Sequence, residues 1–87
     1  MIFISLGKMK KKPTPETSAG VSKMLEDMKN RGIKIIGFYW TLGRYDTVMI
    51  LEAPTEKDAL KVAIDAADVV ATETMVAIPR EEAVKLL

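Results

Sequence analysis

Three carboxylates stand among apolar residues that alternate as a strand does. Asp46 and Glu52 are an even number of positions apart, so an extended segment points both to one face, with Val48 and Ile50 between them. Glu73 lies between Ala71 and Met75 in a second such stretch. A carboxylate on an apolar strand face loses solvation and its pKa rises, which is how general acids and bases are made. The commoner arrangement is blander: near a strand end the same group reaches water, or pairs with Lys or Arg at a subunit boundary. A second cluster is Tyr39, Trp40, Arg44, Tyr45 and Asp46. An aromatic wall beside a guanidinium and a carboxylate suits a small anionic or aromatic ligand. The alternative gives Tyr39 and Trp40 to a core or interface, Arg44 to a solvated turn and Asp46 to a local cap.

The chain has no His and no Cys. It therefore lacks an imidazole base, a thiol nucleophile, any disulfide and the ordinary ligands of zinc or haem. No metal and no cofactor is expected, and catalysis would fall to Asp, Glu, Lys, Tyr or Arg. Gly37 and Gly43 lack the strand–glycine loop–helix context of a phosphate-binding motif. Lys8, Lys10, Lys11 and Lys12 form a basic cluster that would attract phosphate. No aromatic residue is interleaved with them, and a solvated loop is the plainer reading. With 13 Lys and Arg against 12 Asp and Glu, the net charge of +1 argues against a general nucleic-acid binder. No apolar run is long enough to span a bilayer. Met1-Ile2-Phe3-Ile4 lacks the basic start and small-residue cleavage site of a signal peptide. The absence of Cys fits a cytoplasmic location, which is the expectation.

The elements that must position these groups are readable from periodicity and punctuation. Ile2, Ile4 and Leu6 alternate as a strand, which Gly7 and the lysines end. Thr14 is an N-cap with Pro15 in the first turn. Val21, Met24, Leu25 and Met28 then mark one face of a helix, and Gly32 caps its end. Ile33 to Leu42 and Tyr45 to Ala53 read as strands joined through Gly43 in a hairpin. Thr55 with Asp58 resembles a capping box. A second helix follows, with Ala59, Val62, Ala63 and Ala66 as its stripe. Val69 to Ile78 is the last strand, and Pro79 opens a short terminal helix with Val84, Leu86 and Leu87 to bury. The order β-α-β-β-α-β predicts one α+β domain over residues 1–87, a ferredoxin-like four-stranded antiparallel sheet with both long helices on one face.

Such a sheet should alternate apolar and polar residues, and the hairpin strands do not. Strict alternation sets Ile33, Ile35 and Tyr39 on one face of the second strand and Ile36, Phe38, Trp40 and Leu42 on the other. In the third, Tyr45, Met49 and Leu51 oppose Val48 and Ile50. The helix-free face would thus be apolar, Phe38 and Trp40 included, a patch of the kind that marks an interaction site. The chain has 87 residues, 48% of them hydrophobic. A domain of that size buries only about 60% of the surface its unfolded chain exposes. Without disulfides or metals, self-association is the remedy, and a two-fold pairing through this face is expected. The competing cover is the terminal helix.

The string Phe38-Tyr39-Trp40-Thr41-Leu42-Gly43-Arg44-Tyr45-Asp46, with Glu52-Ala53-Pro54 after it, resembles the GYD domain family. Gly43, Tyr45 and Asp46 match the family's signature letters, with Arg44 between the first two. Thr72-Glu73-Thr74 is also similar, and Lys8 to Thr17 is the least family-like part. The resemblance implies small bacterial or archaeal proteins with a dimeric α/β-barrel form of the ferredoxin-like fold. It implies no activity. It raises Tyr45, Asp46, Glu52 and Glu73 among the polar candidates.

Three functional readings follow. The first is a homo-oligomeric binding or regulatory module for a small ligand, lined by Trp40, Tyr39, Tyr45 and Arg44. The second is a small cofactor-free oxygenase or isomerase using Asp46, Glu52 or Glu73 as acid or base. The third is an RNA binder of the same topology, which needs Phe38 and Trp40 exposed on middle strands.

Overall fold

The computed structural model describes residues 1–87. Strand β1 (Ile2–Met9) leads to helix α1 (Pro15–Asn30). Strands β2 (Lys34–Trp40) and β3 (Thr47–Glu52) follow, then helix α2 (Glu56–Ala66) and strand β4 (Val70–Ala77). A single turn of helix, α3 (Arg80–Ala83), runs on as a 3-10 turn over Val84–Leu86. The strands form one antiparallel sheet in the order β2-β3-β1-β4. That is the expected ferredoxin-like α+β fold.

Local chemistry sets the element ends. Thr14 and Thr17 cap the start of α1 reciprocally, and Thr55 and Asp58 do the same for α2. At the other end of α1, Gly32 has a positive φ of 80°. The Gly32 N–H donates to the Lys29 carbonyl and the Ile33 N–H to the Met28 carbonyl, the bond pair of a Schellman stop. Both Met28 and Ile33 are buried, so the stop is also a core contact.

The core lies between the helices and one face of the sheet. Phe3 and Leu51, register partners on β1 and β3, pack with Met28 of α1, Ala59 and Val62 of α2, Ile33 and Ala53. Arg31 at the end of α1 reaches Asp65 beyond α2's midpoint at 3.7 Å, and Lys61 meets the same carboxylate at 2.6 Å. Arg31 and Asp65 are about two-thirds covered, whereas Lys61 is mostly in solvent, so the Lys61 contact adds little to stability.

The register assigns the faces and corrects the alternation expected for β2. Ile35 pairs with Leu51, but Gly37 pairs with Ile50, so a β-bulge at Ile36 inserts one extra residue. A one-residue slip exchanges the faces for everything beyond it. Phe38 and Trp40 therefore stand opposite Met49 and Thr47 on the helix side, not on the helix-free face. Tyr39 stands on the helix-free face and lies over Gly37, where an added Cβ would come within 2.7 Å of its ring. β2 is an edge strand, so Phe38 and Trp40 do not form a central aromatic platform of the RNA-binding kind. The helix-free face is still apolar: Ile2, Ile4 and Leu6 on β1 face Val48 and Ile50 on β3 and Met75 on β4.

Two further expectations change. β1 does not stop at Gly7. It continues because Lys8 and Met9 pair with Ala71 and Val70. The terminal helix does not cover the sheet. Leu86 and Leu87 stay exposed, and Val84 is only partly covered. No helix is long and apolar enough to cross a membrane.

Candidate functional site

Gly7 leaves room for two of the side chains that line a cleft on the helix side of the sheet. A Cβ there would lie 2.2 Å from the Thr47 hydroxyl and 2.9 Å from a Val70 methyl. Its absence lets the Thr47 side chain settle over β1, at the floor of a cavity of about 240 Å³. Met9, Val69 and Val70 line it from the sheet and its β4 end, Phe38 and Trp40 from β2, and Val21 and Leu25 from α1. Lys11, Lys12, Thr17, Ser18 and Ser22 supply its polar lining. Trp40 is 65% exposed, so much of its indole is open to whatever enters.

The lysines at the end of β1 and in the loop after it divide by their contacts. The Lys8 ammonium donates to the Arg44 carbonyl at 3.1 Å and that of Lys10 to the Ala67 carbonyl at 2.5 Å. These two tie the loop to the hairpin and to the end of α2. Lys11 and Lys12 line the cleft instead.

The other candidate residues form a separate arrangement at the hairpin end of the sheet. Gly43 takes a φ of 109°, which lets the chain reverse between β2 and β3. The Thr41 N–H donates to the Asp46 carbonyl at 2.8 Å, and the Thr41 hydroxyl to the Tyr45 carbonyl at 2.7 Å. The Asp46 N–H donates to the Gly7 carbonyl at 2.8 Å, and the Asp46 carboxylate accepts the Met9 N–H at 2.8 Å. β3 begins only at Thr47, so this carboxylate satisfies a β1 donor beyond the ladder's end. The Tyr45 hydroxyl donates to the Glu73 carboxylate at 2.7 Å. The Arg44 guanidinium lies 5.7 Å above the Tyr45 ring. Hydrogen bonding to Glu73 raises the Tyr45 pKa above its ordinary 10.0, with smaller contributions from desolvation and the Glu73 charge, while Arg44 opposes them. Glu52 is exposed at the far end of β3, opposite Lys34.

Of the seven residues the sequence nominates, the cleft takes in only Trp40. Tyr45 meets Glu73 and Arg44 beside the hairpin, the Asp46 carboxylate turns to the Met9 backbone, and Tyr39 and Glu52 stand apart. No carboxylate lines the cleft. Sequence reasoning passed over Gly7, Thr47, Val21 and Leu25, and it set Lys11 and Lys12 aside. One signal was present: a glycine in a strand interior marks close approach of another group.

No curated protein matches the chain. The signature letters are explained by contacts in this structure: Gly43 turns the hairpin, Tyr45 reaches over to β4, and Asp46 closes the end of β1. The sequence model of the GYD domain matches residues 6–87, a span that holds all of these contacts, and the chain belongs to the GYD domain family.

Proposed function

We propose that the protein is a small binding or regulatory module that holds a compact, largely apolar ligand in the helix–sheet cleft and works as a homo-oligomer, with a dimer as its basic unit. The observation that carries the first half is the cleft. Its volume of about 240 Å³ exceeds the roughly 150 Å³ of a dry cavity that holds benzene. It falls below the roughly 300 Å³ at which sites for drug-sized molecules begin. One ring with a short side chain fits that interval. The lining supplies two aromatic faces, aliphatic walls and a few polar groups, the usual make-up of a small-molecule site. An acid–base reading finds less support, since Asp46 serves a backbone donor and Glu73 holds a tyrosine.

The second half rests on the helix-free face. Ile2, Ile4, Leu6, Val48 and Ile50 are only partly covered in the single chain, and Tyr39 and Met75 are exposed beside them. An identical face across a two-fold axis is the simplest complement.

Trp40 is the chain's single tryptophan, so its emission reports on the cleft directly. A panel of small aromatic and alkyl compounds should include members that shift or quench that emission. The same members should move the amide resonances of Val21, Leu25 and Thr47, and Val21→Phe, which fills the cleft, should weaken them. A panel that leaves Trp40 untouched, or moves only resonances of the helix-free face, would refute the cleft reading.

A further inference from the structure

We infer that the cleft's ligand is a singly charged aromatic carboxylate bearing a hydroxyl group, with its ring on Phe38 and Trp40, its carboxylate at Lys11 and Lys12, and its hydroxyl at Thr47. This assignment rests on the cleft reading above and adds the ligand's chemical class.

Charge comes first. The only ionisable side chains in the lining are Lys11 and Lys12, both cationic. The chain's ion pairs involve Arg31 and Lys61 alone among its cations. Lys8 and Lys10 spend their ammonium groups on backbone carbonyls, which holds the loop so that the next two lysines border the cavity. An anion entering here meets two positive charges and no carboxylate. The anion is a carboxylate, not a phosphate. The site has no glycine loop or arginine fork to replace the hydration of a dianion, and its mostly apolar lining makes desolvating one costly.

The hydroxyl follows from Thr47. This residue is 9% exposed, it lines the cleft, and its hydroxyl has no hydrogen-bond partner within the chain. A hydroxyl that loses its water to a bound ligand and gains no new partner costs free energy. Here the group lies at the cavity floor, at a position kept open by Gly7. A ligand hydroxyl would complete it. The ring follows from the walls: aromatic pairs gain beyond simple burial when stacked or edge-on, and Phe38 and Trp40 offer two such surfaces.

Three probes separate the parts: para-hydroxyphenylpropionate, phenylpropionate and phenylpropanol, titrated into the full chain and followed by amide resonances. The acid should bind about tenfold tighter than the alcohol, the scale of one charge-assisted contact. The hydroxylated acid should bind a further few-fold tighter, the scale of one neutral hydrogen bond. The double variant Lys11→Gln/Lys12→Gln should erase the first difference only, and so should added salt. Thr47→Val should erase the second only, and Thr47→Ser should keep it. If Thr47→Val does not fold, Thr47→Ala, which also lacks the hydroxyl, should erase the same difference. Equal binding of acid and alcohol would overturn the anion assignment and leave the cleft standing. Equal binding of the two acids would overturn the role of Thr47. If all three fail while other members of the small-molecule panel bind, this inference falls alone. If nothing in the panel binds, the cleft reading falls with it.

Discussion

At the scale of single residues, the Tyr45–Glu73 bond has a pH dependence that follows from its cause. The bond requires a protonated phenol facing a carboxylate, so it favours the neutral form of Tyr45 and raises its pKa above 10.0. A raised pKa in the folded chain means that the bond's contribution is fully present below the unfolded value near 10, and is lost as pH rises through the raised value. Tyr45 is only partly covered and its bond to Glu73 lies at the surface, so the effect belongs to titration more than to stability. In a Tyr39→Phe background, where Tyr45 alone reports, tyrosinate absorbance should give a midpoint above 10.0. Adding Glu73→Gln should lower it, because the charge and the strongest acceptor go together. An unchanged midpoint would show that the two side chains do not meet in solution. Asp46 illustrates a different limit of sequence reading. Its spacing from Glu52 was legible, but the donor it accepts from belongs to β1, 37 residues away, and no local pattern encodes that partner.

At the scale of elements, most of the fold was legible because its ends carry their own chemistry. The Thr14 and Thr55 caps and the Gly32 stop are local interactions, and the structure places them where the sequence does. The same helix supplies a paired test. Gly20 lies inside α1, and a Cβ there meets nothing within 4 Å. Gly20→Ala should raise stability by about 0.5–1 kcal/mol through backbone entropy. Gly32→Ala forces an L side chain to a φ of 80° and should lower stability by about 1–2 kcal/mol. In a domain of this size each kcal/mol moves Tm by roughly 4–8 °C, so opposite shifts should be plain in thermal melts. Two shifts of the same sign would contradict the assigned end of α1. The bulge at Ile36 was not legible. Periodicity assumes that every residue advances the face by one step, and an extra residue is detectable only through the register of the partner strand. The cleft was hidden for the same reason, since Phe38 and Trp40 reach it only through that slip.

At the scale of the whole molecule, the two faces of the sheet divide the work proposed for it. The helix side carries the cleft, and the other side carries the apolar surface suited to a second copy. The bulge changes which substitutions can separate them. Ile4 and Ile50 are register partners on the two central strands, so they mark the middle of the helix-free face, whereas Trp40 lies at an edge on the opposite side. Light scattering after size exclusion should give a wild-type mass near twice 9.6 kDa. Ile50→Lys should halve it, because a charge placed at the centre of a desolvated apolar interface has no partner there. Trp40→Glu should leave the mass at the dimer value and act on the cleft instead. If Trp40→Glu dissociates the protein and Ile50→Lys does not, the pairing surface lies on the helix side and the assignment of faces to roles reverses. A wild-type monomer at micromolar concentration would mean that the apolar face serves some other partner, because the terminal helix, with Leu86 and Leu87 in solvent, does not cover it.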